Sequence, residues 1–80
     1  MQTYDRNYIN GQLVKYQKAS PQGKVNCLWR IASHADIFPL HELDCTGGLN
    51  MVQEDTIVEW LGVEGFTVVG SMKIRQEARV

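Results

Sequence analysis

The sequence predicts a small α+β domain: three helices followed by a C-terminal β-hairpin, with an added N-terminal β-hairpin or arm. Three observations carry that prediction. Ser20-Pro21 and the pair Asn50 and Gln53 are written in helix-start chemistry. Phe66–Gln76 reads as two extended runs around Gly70-Ser71. Asn10-Gly11 separates two runs supplied with Tyr, Ile, Leu and Val. The chain has 80 residues and is 44% hydrophobic, enough for one domain and too apolar for a disordered segment. It is therefore read as a single domain, 1–80, with residues 1–19 as the hairpin or arm and 20–77 as the core.

The elements follow in chain order. Asn-Gly is the strongest short hairpin signal because a type I′ turn needs positive φ at both central residues. The flanking runs Thr3–Ile9 and Gln12–Gln17 hold Tyr4, Tyr8, Ile9, Leu13, Val14 and Tyr16, which suit strands. That register sets Arg6 opposite Lys15, a like-charge pair. Ser20 can accept from free amides and Pro21 loses nothing at the first helical position, so a helix is expected from Pro21 to Ala35. Its apolar stripe is Val25, Leu28, Ile31, Ala32 and Ala35, with Trp29 beside it. Ile37-Phe38 forms an extended link, since a residue before proline avoids the helical region. Pro39 opens a shorter helix with Leu40 and Leu43 facing inward, and Gly47-Gly48 stops it. Asn50 and Gln53 form a capping box that starts the third helix, Met51 to Gly62, with Ile57, Trp60 and Leu61 on its inner face. Gly65 ends it. Phe66–Val69 and Met72–Gln76 then pair around a Gly-Ser turn of type II′, the second strand alternating Met72, Ile74 and Gln76 with Lys73, Arg75 and Glu77.

A net charge of −1 conceals a strong segregation. Residues 1–30 carry +4, from Arg6, Lys15, Lys18, Lys24 and Arg30 against Asp5. Residues 31–72 contain no lysine or arginine and carry −7. Residues 73–80 return to +2. Such division along a chain points to binding surfaces of opposite sign. No segment approaches the roughly 18–20 apolar residues of a membrane helix, and the N-terminus lacks the plan of a signal peptide. The expected location is the cytoplasm, with Cys27 and Cys45 reduced and no membrane or small-molecule partner.

Leu40, Leu43, Gly48-Leu49-Asn50, Ile57, Leu61 and Gly65-Phe66 have a spacing that resembles small bacterial winged helix–turn–helix domains over residues 21–77. Trp29 on the first helix and Trp60-Leu61 before Glu64-Gly65 add to the likeness. The resemblance implies a winged α+β fold in which the third helix enters the DNA major groove. Residues 1–19 have no counterpart in the minimal family.

This third helix is ill suited to that role. It holds Glu54, Asp55 and Glu59 and no cation, whereas DNA binding draws most of its affinity from protein cations. Its outward face, Met51, Asp55, Val58 and Glu59, better suits a protein partner or a second copy, by apolar contact and steering charge. The expected function is thus a non-enzymatic regulatory or adaptor protein. The alternative keeps DNA, gripped at phosphates by Lys15, Lys18, Lys24, Arg30, Lys73 and Arg75, with Tyr4, Tyr8 and Tyr16 near the basic arm. No nucleophile elbow or P-loop is present, and Thr46-Gly47-Gly48 lacks a phosphate-reaching lysine. Cys27, His34, His41 and Cys45 are conceivable zinc ligands, but spacings of seven, seven and four fit no usual finger, so no metal or cofactor is expected.

Overall fold

The computed structural model describes residues 4–69. Its elements are α1 (Arg6–Lys18), α2 (Pro21–His34), a single 3-10 turn (Leu40–Glu42) and α3 (Met51–Val63). Helices α1 and α2 pack against each other more extensively than α3 packs on α2. The core is Ile9, Leu13 and Tyr16 from α1, Cys27, Leu28, Ile31 and Ala32 from α2, Leu43 from the connecting loop, Ile57 and Leu61 from α3, then Phe66 and Val68.

The architecture is a compact three-helix bundle, which overturns the winged α+β prediction: the described residues contain no strand. The N-terminal hairpin is replaced by α1. Asp5 caps it, accepting from the Asn7 amide, and Ile9, Gln12, Leu13 and Tyr16 are buried at helical spacing. Asn10 and Gly11 sit on the solvent side of the helix, where their helix cost of about 1 kcal/mol or less each is offset by that buried face. The first strand of the expected wing, Phe66–Val69, is an irregular segment that sends Phe66 and Val68 into the core. The Gly70-Ser71 turn and Met72–Gln76 lie outside the described residues.

Helices α2 and α3 start where the capping chemistry places them. Ser20 Oγ accepts from the Gly23 amide, and Asn50 and Gln53 exchange side-chain and backbone bonds in a full capping box. The link between α1 and α2 is tight, and a Cβ at Gly23 would meet the Ala19 Cβ at 2.9 Å. Lys24 closes the same corner, donating from Nζ to the Tyr16 carbonyl at 2.7 Å over the Tyr16 ring. Helix α3 ends in a Schellman motif: Gly65 has φ 89°, its amide bonds the Gly62 carbonyl, and the Phe66 amide bonds the Leu61 carbonyl.

The expected second helix shrinks to the 3-10 turn. Leu43 is buried as expected, but Leu40 is 75% exposed. The turn has only three residues, Leu40–Glu42, too few for an inward stripe. Tertiary bonds hold this loop instead. Trp29 Nε1 donates to the Asp44 carbonyl at 2.8 Å, and Gln53 Nε2 donates to the Glu42 carbonyl at 2.9 Å.

Candidate functional site

Because Ile57 and Leu61 fix the inner side of α3, the opposite side is set by helical geometry. Val52, Thr56, Glu59 and Val63 recur at i, i+4, i+7 and i+11 and form its exposed stripe, bordered by Met51, the half-buried Asp55 and Gly62. Met51, Val52 and Val63 are 77%, 74% and 80% exposed. The capping box holds the first turn of this face rigid, and the Gln53–Glu42 bond sets the loop bearing exposed Leu40 beside it.

Three of the four residues anticipated for this face lie on its accessible side: Met51 and Glu59 are exposed and Asp55 is half-buried. Val58 turns to the core and packs against it. Val52 and Val63 are the residues that the sequence reading missed. Both lie within about 40° of Glu59 on a helical wheel, so the signal was there; attention to the acidic edge passed over the two valines. Asp55 and Glu59 give the face its negative charge, while Glu54 lies off it, in line with Ile57 and Leu61. Glu54 is partly buried beside Asp55, and burial first, then the neighbouring charge, pushes its carboxyl above the usual range. In the loop, the Thr46 backbone amide and then its side chain hold Asp44 below the usual range.

The cations proposed for phosphate contact divide differently. Lys15 and Lys18 are exposed at the C-terminal end of α1, and Arg30 is exposed on α2. Lys24 is engaged in closing the α1–α2 corner, with its ammonium on the Tyr16 and Gln17 carbonyls. Lys73 and Arg75 lie outside the described residues. The three tyrosines form no stacking platform for bases. Tyr16 is buried, and Tyr8 stacks on His34 with centroids 4.3 Å apart. Tyr4 packs edge-on against Trp60 at 5.1 Å.

Tyr4 belongs to a clasp between the lead-in to α1 and the end of α3. Its hydroxyl donates to Glu64 Oε1. Arg6 Nη1 donates to the Tyr4 hydroxyl at 3.3 Å and to the Glu64 carbonyl at 3.2 Å, with the guanidinium 4.1 Å from the Phe66 ring centre. The Glu64 hydrogen bond, then partial burial and the carboxylate's charge, hold the Tyr4 phenol above its usual range. Arg6 is thus committed to holding two ends of the chain together.

The four possible zinc ligands are dispersed. Cys27 is buried, Cys45 is exposed, and His34 Nε2 accepts from the Asp5 amide at 2.9 Å. His41 lies beside Glu42 in solvent. Among the described residues no three His, Cys, Asp or Glu side chains are grouped to hold a metal ion. None of the described helices is long and apolar enough to cross a membrane.

Over the described residues, the fold and this face define a small helical bundle with an acidic, valine-flanked helix surface open to solvent. No family model, curated protein or solved structure matches the chain.

Proposed function

We propose that the protein is a non-enzymatic interaction module, of regulatory or adaptor type, that docks a basic protein segment on the outer face of α3. The observation that supports it is the exposure of Met51, Val52 and Val63 around Asp55 and Glu59 on one capped helix. Single exposed apolar residues are ordinary, but several on one face, edged by charge of one sign, are the makings of a contact surface. The carboxylates select a partner rich in lysine or arginine and speed its approach, while the valines and Met51 supply area removed from water. Major-groove reading by α3 is disfavoured by the same carboxylates, since the helix carries no cation to meet phosphate.

The test is an amide-shift titration with a synthetic amphipathic peptide of leucine and lysine. Binding is expected to move amides of Met51–Val63, and the double change Asp55→Lys, Glu59→Lys is expected to abolish the effect while helix content stays constant. Shifts confined to α1 and α2, or an unaffected double variant, would overturn the reading.

A further inference from the structure

We infer that one occupant of the α3 face is the outer face of α1 on a second copy of the chain; this rests on the reading of α3 above. The α1 residues turned from the core include Asn7, Gly11, Val14 and Lys18. They stand at i, i+4, i+7 and i+11, the same spacing as Val52, Thr56, Glu59 and Val63. Each stripe therefore runs about 16–17 Å along its helix, and the two match in length. Laid parallel, they bring Lys18 within about one turn of Glu59, so their charges are complementary. The α1 stripe ends in Lys18, with Lys15 nearby and Val14 56% exposed. The α3 stripe sets Glu59 between two exposed valines. A Cβ built at Gly11 meets nothing within 4 Å, so the middle of the α1 stripe is open to a neighbouring helix.

Charge also decides how the copies pair. A symmetric α3–α3 contact sets Glu59 near its own counterpart and is opposed by like charge, and an α1–α1 contact joins two basic faces with no carboxylate on the helix to meet them. The remaining arrangement joins α1 of one copy to α3 of the next. Made once per pair, this contact leaves one face of each kind free on every added copy; made twice about a two-fold axis, it closes a dimer. One helix face offers well under the roughly 800 Å² per partner of a stable complex, so the association is weak and salt-sensitive.

The experiment is sedimentation of the full chain from micromolar to millimolar concentration at low and high salt. Average mass is expected to rise with concentration at low salt, to the dimer or beyond it, and to return to the monomer at high salt. Lys18→Glu alone and Glu59→Lys alone are each expected to stay monomeric, with circular dichroism confirming the fold. The two reversals combined in one chain, or the two single variants mixed, are expected to recover association, a rescue that simple loss of helix stability cannot give. A wild-type chain that stays monomeric throughout, or single reversals that associate normally, would each overturn the pairing. If the peptide titration still maps to α3 in a monomeric chain, the α3 face stands and only its self-pairing falls.

Discussion

Helices α1 and α3 are each 13 residues long, yet they divide their apolar side chains in opposite ways. Helix α1 buries Ile9, Leu13 and Tyr16 together with Gln12, and leaves Val14 as its main apolar residue in water. Helix α3 buries only Ile57 and Leu61 and leaves Met51, Val52 and Val63 exposed. A helix that is apolar on more than one side is normally covered on more than one side. In α1 the apolar residues serve the domain; in α3 they are split between the domain and its surroundings. A chain of this size has little core to spare, so that split is costly unless the outer face has its own use.

Ile57 and Leu61 are the fully buried side chains of α3, with Val58 and Trp60 packed beside them, and the largest expected effect follows from that. Leu61→Ala removes one of the two fully buried side chains that hold α3 and is expected to cost about 2–5 kcal/mol. Small domains have stabilities of about 5 kcal/mol or a little more, so a variant at the upper end is largely unfolded. Urea denaturation followed by circular dichroism measures this. Leu40→Ala, in the exposed 3-10 turn, should lie within about 0.5 kcal/mol of wild type. Equal losses for the two would mean that α3 is not held as described.

In α1 the weak point is polar. Gln12 is buried and its Oε1 has no hydrogen-bond partner among the described residues. Leaving such an acceptor unsatisfied costs about 1–3 kcal/mol, and a methionine of similar shape removes it. Gln12→Met is therefore expected to raise stability by about 1 kcal/mol, read as a higher denaturation midpoint with unchanged slope. A destabilised variant would show that Gln12 makes a bond worth more than its burial costs.

How much of this was legible depends on whether the signal was local. The starts of α2 and α3 were readable because Ser20, Pro21, Asn50 and Gln53 act within one turn of where they stand. Gly65 was likewise readable as a terminator, its positive φ being the reason. Helix α1 was misread because Asn10-Gly11 signals a turn locally, while the competing evidence is spread over a longer range. Asp5 at the cap and the spacing of Ile9, Gln12, Leu13 and Tyr16 favour a helix, and the Arg6–Lys15 opposition already argued against the hairpin. The clasp of Tyr4, Arg6 and Glu64 joins residues about sixty positions apart, and nothing local marks such a contact. On α3 the acidic half of the face was legible and the valine half was present but unread, as Val52 and Val63 differ from core valines only by phase.

That clasp gives a smaller effect with a definite pH sign. In the folded chain the Tyr4 phenol is held above its ordinary value of 10.0, so the unfolded tyrosine releases its proton first. The contribution is fully present below about pH 10 and is lost as pH rises through the folded-state value, when a phenolate faces the Glu64 carboxylate. Thermal unfolding of the wild type should therefore fall more steeply with alkali than that of Tyr4→Phe. Parallel curves would remove Tyr4 from the coupling between the two chain ends.

The smallest expected effect on stability bears most directly on function. Val52→Ser and Val63→Ser remove apolar surface that is already in water in the isolated domain, so each should change unfolding free energy by no more than about 0.5 kcal/mol. Binding should respond differently, because burying a valine against a partner contributes about 1.5–3 kcal/mol at full desolvation and proportionately less at a rim. A tenfold loss of affinity for the leucine-lysine peptide requires only about 1.4 kcal/mol, which one well-covered valine can supply. The paired measurement thus separates two uses of the same residue type: Ile57 and Leu61 act on folding, Val52 and Val63 on association. Stability lost at Val63 with peptide affinity unchanged would return that valine to the domain's own packing and leave α3 with no surplus face to explain.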